Sequence, residues 1–348
     1  MVSPASRSSR SGVAVHSDNM AQVAQKLPGS NRVKNGTQWL DDAGAPIQAH
    51  GGWILPVAAA SPDGATQTEY FWYGEDKSGV TVNRRMDAIG IRCYRSTDLV
   101  TWHDCGLVFQ ADPAADDPIL RPEGVMERPR VLRCPATGRY VLWFHADDAR
   151  YRTASVGVAV ADNPAGPFEL VHILRPNNQD SRDFTLFADE DGTGYLVHSS
   201  ESNKTIHIAR LTPDYLDVDG SWSVAFPQQE REAPCMFAAH DQYYLLTSGC
   251  TGWRPNAALF GTSPHVVGGW KLLDNPCRGP REHTTFDGQP TCVFWAGEGE
   301  KRAPYVLIDH WHPDDLGTSA YSILPITFLS EKHDPIEICW SDEFAGQL

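Results

Sequence analysis

Residues 140–145 read Tyr-Val-Leu-Trp-Phe-His, an apolar, aromatic-rich run of strand-forming residues. Four more runs of the same kind begin on tyrosine: Tyr70–Gly74 (YFWYG), Tyr195–Ser199 (YLVHS), Tyr243–Ser248 (YYLLTS) and Tyr305–His310 (YVLIDH). Successive lead tyrosines stand roughly 50–70 residues apart. Turn residues precede three of the runs: Thr137-Gly138-Arg139, Asp191-Gly192-Thr193-Gly194 and His240-Asp241-Gln242. After the first four comes a second β-like run and a loop carrying an aromatic near its end. These are Ile91–Tyr94 then STDLVTW, Val156–Val160 then ADNPAGPF, Ile206–Leu211 then TPDYL, and Ala258–Gly261 then SPHVVGGW. An imperfect repeat of short strands and turns is the mark of a propeller blade. Long amphipathic helical periodicity is hard to find after residue 45. A β-sandwich or a pair of small β domains shares such regular strand spacing. Five strand sets favour an all-β, five-bladed β-propeller over residues 31–348. In that ring, loops from every blade gather around one pocket at an axial end.

Composition narrows the function. The chain has 348 residues and a formal net charge of −15, which argues against a nucleic-acid or anionic-membrane surface and leaves a neutral substrate such as a sugar. Eight cysteines show no CxxC and no Cys/His zinc spacing, so neither a metal site nor a cofactor is expected, although a structural cation on the propeller axis stays open. Cys134, Cys292 and Cys339 sit in apolar or strand-like runs and read as small buried hydrophobes. Residues 1–30 read as a polar, weakly ordered extension without a 7–15-residue apolar stretch of the signal-peptide kind. With no run of transmembrane length, a cytoplasmic location is expected. The oligomeric state is not legible.

The candidate chemistry lies at strand ends. Gln48-Ala49-His50, Gly74-Glu75-Asp76-Lys77, Glu127-Arg128-Pro129, Asp180-Ser181-Arg182-Asp183, Glu232-Ala233-Pro234 and Asp287-Gly288-Gln289 each border an apolar run. Any one of them alone is more often a turn or cap residue. Six, at one or two per blade, suggest a shared pocket. Glu232 enters a tight Ala-Pro turn beside Cys235, Met236 and Phe237, where desolvation would raise its pKa towards that of a general acid working near neutrality. Tyr151, Trp253 and Trp311 could offer aromatic faces to a sugar. Paired carboxylates can protonate a leaving oxygen and activate a water on the opposite face. There is no GxSxG, HExxH, P-loop or GxGxxG. Asp309-His310-Trp311-His312 reads as pocket wall before metal site.

On these motifs the chain from about Asp41 onward resembles glycoside hydrolase family 43, and within it the exo-β-1,3-galactanase branch. The resemblance is carried by IQAHGG (47–52), YGEDKS (73–78), ERPRV (127–131), YVLWFHADDARY (140–151), DSRDFTLF (180–187), REAPCMF (231–237), TGW (251–253) and FDGQ (286–289). It implies a five-bladed propeller, Glu232 as general acid, and Asp183 as the carboxylate that tunes and orients that acid. Most of the wider family has a general-base aspartate early in the first blade, where this chain reads Gln48-Ala49-His50. The branch shares this gap and is credited with a glutamine in that role, which here would be Gln289, acting by orienting water or through an imidic acid. Chemistry alone nominates Glu127 or Glu75 to activate the water. In the branch both positions look like sugar-hydroxyl ligands, so Gln289 is kept as water-holder with Glu127 as runner-up. His50, Glu75, Glu127, Tyr151, Thr251, Trp253 and Trp311 would be substrate contacts. Cys250 stands where the branch has a hydroxyl residue, which puts a hydrogen bond there in doubt.

The implied activity is an inverting, exo-acting glycoside hydrolase that releases galactose from β-1,3-galactan or β-1,3-galacto-oligosaccharides. The expected partner is therefore an oligosaccharide or polysaccharide. Two rivals stand: an α-L-arabinofuranosidase or β-xylosidase on the same scaffold, and a catalytically silent sugar-binding propeller.

Overall fold

The computed structural model describes residues 31–60, 66–329 and 336–346. The extension expected over residues 1–30 lies outside them. Strand β1 (Arg32–Lys34) precedes the first blade, which comprises β2 (His50–Ala60), β3 (Thr66–Glu75), β4 (Gly90–Ser96) and β5 (His103–Gln110). Blade two is β6 (Val125–Arg133), β7 (Tyr140–Asp147), β8 (Ser155–Ala161) and β9 (Glu169–Leu174). Blade three is β10 (Phe184–Ala188), β11 (Gly194–Ser200), β12 (Thr205–Leu211) and β13 (Val218–Ala225). Blade four is β14 (Arg231–Ala239), β15 (Gln242–Gly249), β16 (Leu259–Ser263) and β17 (Lys271–Leu272). Blade five contains β18 (Cys277–Arg278), β19 (Gln289–Ala296), β20 (Ala303–His310), β21 (Ala320–Phe328) and β22 (Ile336–Cys339), in the spatial order β18-β22-β21-β20-β19. Strand β23 (Glu343–Ala345) returns to pair antiparallel with β1.

These five blades make a five-bladed β-propeller. Strands β2, β6, β10, β14 and β19 line the axis, each against the next around the ring. The five tyrosine-led runs are all second strands: β3, β7, β11, β15 and β20. A second strand is covered on both faces by neighbouring blades and paired on both edges, so it must be apolar along its length. Strand β7 is buried at every residue. Outermost strands face water, as in β13, where four consecutive residues are exposed.

Closure joins the two ends of the described chain. Asn35, just past β1, donates through Nδ2 to Ser341 O (3.0 Å) and Ile323 O (3.3 Å), and its Oδ1 accepts from Ile323 N (3.0 Å). Beside this seam Trp72 packs edge-on against Trp102 and Tyr321 at centroid distances of 5.1 and 4.7 Å. All eight thiols are free. Cys134 and Cys292 are buried as read, but Cys339 is exposed, because β22 lies near the rim of its blade.

At the end of the ring that carries the polar motifs, four inner strands break register. Bulges fall between His50 and Trp53, Glu127 and Arg130, Glu232 and Cys235, and Pro290 and Cys292. A bulge bends its strand and re-aims the side chains beside it. In β6 and β14 the construction is the same: a glutamate, then a residue in left-handed conformation (Arg128, φ 52°; Ala233, φ 48°), then proline. Proline supplies no amide to the interrupted ladder, so it suits a bulge. In β2 the left-handed position belongs to Gly51 (φ 58°).

Candidate active site

The bulged ends and the loops beyond them enclose one pocket. Glu75 and Lys77 line it from blade one, Glu127, Arg128 and Tyr151 from blade two, and Asp183 from the start of blade three. Glu232, Ser248, Trp253 and Arg254 come from blade four, and Asp287, Gln289 and Trp311 from blade five. Eight of the ten nominated residues therefore converge here: Glu75, Glu127, Tyr151, Asp183, Glu232, Trp253, Gln289 and Trp311.

Arg128 sits at the centre. Its Nε lies 3.1 Å from Asp183 Oδ1 and one terminal nitrogen 3.0 Å from Asp183 Oδ2, a two-point grip. That same nitrogen donates to Gln289 Oε1 at 2.5 Å. Its backbone N–H donates to Glu75 Oε1 at 3.1 Å, and Glu75 Oε2 is paired with Lys77 Nζ at 2.8 Å. One residue thus links four blades.

Glu127 and Glu232 occupy equivalent bulges in different electrostatic settings. Burial pushes the Glu232 pKa up, the neighbouring Asp183 charge adds to this, and Arg128 only partly offsets them, leaving it at about 7. Burial acts on Glu127 in the same sense, yet His145, Lys77 and the Tyr151 hydroxyl outweigh it and hold the group down at about 2. Tyr151 Oη donates to Glu127 Oε1 at 2.6 Å, and His145 Nδ1 stands 3.4 Å from Oε2. Burial would lower the His145 pKa, but contacts to Asp147 (3.2 Å) and Glu127 raise it to about 9, so His145 is a cation at neutral pH. The pocket therefore holds one carboxylic acid able to donate a proton and one firmly ionised carboxylate, two environments that suit different tasks.

Gln289 is oriented without ambiguity. Arg128 and the Trp311 indole N–H (3.4 Å) can only donate, so they face the carbonyl oxygen. The amide nitrogen then donates to Ser248 Oγ (2.9 Å) and Glu232 Oε1 (3.4 Å). Gln289, nominated as the water-holder opposite the acid, lies in hydrogen-bond contact with that acid. Inversion needs about 6.5–9.5 Å between the two groups, and here they touch. The imidic-acid route fares no better in this arrangement, since an O–H on Gln289 would point at two donors.

Two further nominations do not line the pocket. His50 is fully buried behind Trp311 (centroids 5.6 Å apart), stacked on Tyr321 at 5.0 Å, with Nε2 3.1 Å from Tyr321 Oη. Burial drives its pKa down to about 3, so it is a neutral supporting ring. Its place in a first-blade motif suggested contact, but the β2 bulge ends short of the pocket. Thr251 braces a loop: its hydroxyl donates to Arg254 O and accepts from Asn256 Nδ2 (2.8 Å). Cys250 stands next to Glu232 with its thiol pushed up to about 12 by burial and by that carboxyl, and Sγ lies 3.7 Å from Asn203 O.

Sequence reasoning missed four contributors: Arg128, Ser248, His145 and Asp309. Arg128 lay in view inside ERP, between a glutamate and a proline. His145 closes the YVLWFH run. Asp309, from the Asp-His-Trp-His cluster, is completely buried opposite Gln289 in the β19–β20 ladder and accepts Gly51 N–H at 2.8 Å. Burial raises its pKa to about 7 against the opposing pull of Arg128. Among the described residues, no three His, Cys, Asp or Glu side chains form a metal-binding group.

This pocket belongs with a family pattern, since a model of glycosyl hydrolases family 43 matches residues 65–276, more than half of the chain. The chain belongs to glycoside hydrolase family 43. Among solved family 43 structures, a β-1,3-galactosidase with galactodeoxynojirimycin is 33% identical, with TM-score 0.79, over 89% of this chain and 99% of its own. An exo-β-1,3-galactanase from Clostridium thermocellum is 32% identical (TM-score 0.80), over 91% of this chain and 67% of its own. One from Phanerochaete chrysosporium, solved with β-1,3-galactotriose, is 30% identical (TM-score 0.77), over 90% and 68%. No curated protein gives a match.

Proposed function

We propose that this family 43 hydrolase is an inverting, exo-acting β-1,3-galactosidase that releases galactose from the end of β-1,3-linked galacto-oligosaccharides or galactan. The observation that carries the reading is Glu232, held protonated up to about pH 7 in a pocket walled by Trp253 and Trp311. The galactose-specific part is supported by the three solved relatives, named as β-1,3-galactosidase or exo-β-1,3-galactanase.

In this mechanism the Glu232 proton passes to the glycosidic oxygen as the C1–O bond breaks, and the electron pair leaves with that oxygen. A water attacks C1 from the opposite face and gives its proton up to solvent on that side, since an amide can orient the water but not accept the proton. Asp183, gripped by Arg128, keeps the Glu232 pKa high. Sugar entry takes the place of the Gln289–Glu232 hydrogen bond, which frees the amide nitrogen while Arg128 and Ser248 still fix the side chain. The amide then orients the water, and the ionised Glu127 binds a sugar hydroxyl beside Tyr151.

Proton NMR of the protein with β-1,3-galactobiose, followed from the first minutes, tests this reading. α-Galactose appearing first is the expected result. Early β-galactose would mean retention and would remove the water-holding role of Gln289. Hydrolysis confined to arabinofuranosides or xylosides would move the enzyme to the other activities of its family, and no hydrolysis of any glycoside would leave a sugar-binding propeller.

A further inference from the structure

The loop after β15 presents a cation that none of the chemistry above uses. Asn256 clamps this loop, accepting from Gly249 N (2.7 Å) and donating to Gly249 O and Thr251 Oγ1 (both 2.8 Å). Thr251 in turn holds the Arg254 carbonyl. The backbone of Arg254 is therefore held, and the residue lines the pocket, while its guanidinium makes no hydrogen bond or ion pair among the described residues. The other charged groups of the pocket are all engaged: Lys77 with Glu75, Arg128 with Asp183, Glu127 with His145 and Tyr151, and Asp287 with Arg281. Trp253, 40% exposed, stands beside Arg254 and is braced edge-on by Trp311 at 5.6 Å.

An unpaired guanidinium on a hydrogen-bonded loop, next to a braced indole face, offers the two kinds of contact that an anionic sugar requires. The indole can carry the ring, and the planar fork matches a carboxylate or sulfate at two points. On a chain of net charge −15, such a cation at the pocket is locally distinctive. We propose that Trp253 and Arg254 form a subsite for an anionic substituent, a uronic-acid carboxylate or a sulfate ester, on a sugar adjoining the galactosyl unit. The inference rests on the glycosidase reading for what is cleaved, but not for what is bound.

Calorimetric titration of the Glu232→Gln protein, chosen because turnover is expected to be slowed at least about 100-fold, tests it with three ligands: β-1,3-galactobiose, its glucuronyl derivative and its sulfated derivative. At low salt an anionic ligand is expected to bind about tenfold tighter than the neutral one, an advantage that shrinks in 0.5 M NaCl. Which of the two anions gains identifies the substituent. Adding Arg254→Gln should abolish the advantage, and Arg254→Lys should restore only part of it, since lysine lacks the fork. Equal affinity for neutral and anionic ligands overturns the proposal, as does an advantage that survives Arg254→Gln. In the wild-type background, the ratio of kcat/KM for anionic over neutral substrate should fall by the same factor in Arg254→Gln, whereas an equal loss on both would reassign the guanidinium to a common hydroxyl. Should the wild-type protein hydrolyse nothing while the Arg254-dependent affinity persists, the anion subsite stands and the hydrolase reading falls.

Discussion

Glu127 and Glu232 follow the same local recipe, glutamate, left-handed residue, proline, yet they end in opposite protonation states. The backbone delivers both to the pocket, and their neighbours decide the rest. Glu232 was legible as an acid because its own turn is flanked by apolar residues. The ionised state of Glu127 was not, because His145 arrives from the next strand and Tyr151 from a loop. Glu232→Gln should lower kcat/KM on a galactoside by roughly 10²–10⁴-fold. The wild-type rate should fall with a midpoint near pH 7 as the acid loses its proton, and a pH–rate profile reads both. Stability carries the same sign. A carboxyl whose folded pKa is raised binds its proton more tightly in the native state, so its contribution is full below the ordinary carboxylate range and is lost as pH rises through about 7. Glutamine cannot ionise, so the variant should melt higher relative to wild type at pH 8 than at pH 5.

At the scale of the strand, the bulge is what converts a propeller edge into a site. Gly51 shows how little space it leaves. The residue has φ 58°, and a Cβ built there would lie 2.1 Å from Glu75 Oε1. Glu75 cannot easily withdraw, being buried and bound to both Lys77 and the Arg128 amide. Gly51→Ala should therefore cost about 1–3 kcal/mol and displace Glu75, seen as a lower Tm together with a lower kcat/KM. An unchanged Tm would mean that the β2 bulge is not tightly set. Elements differ in legibility for a physical reason. Second strands such as β7 are buried on both faces and announce themselves as apolar runs, while β13 and the two-residue β17 and β18 have no continuous apolar pattern to read.

In the whole molecule, ring closure depends on a short seam. The β1–β23 pairing spans three residues on each side, and the buried Asn35 amide ties the seam to Ile323 of blade five by two hydrogen bonds and to Ser341, ahead of β23, by a third. Asn35→Ala strands those backbone groups, at a cost of about 1–3 kcal/mol. Urea unfolding should show a lower midpoint, and a lower m-value besides would indicate that the seam frays before the blades do. A midpoint equal to wild type would place the closure elsewhere.

The number of blades, all five second strands, the third strands of four blades and most of the pocket residues followed from the chain alone, because burial on both faces and strand-end polarity are written in local order. The protonation states, the placement of His50 behind Trp311, the engagement of Gln289 and the unpaired Arg254 were decided only by the tertiary structure. These depend on groups far apart along the chain: Arg128 from blade two meets Asp183 from blade three and Gln289 from blade five. Desolvation and Coulomb forces act through space, and no spacing along the chain records which charges the ring brings together.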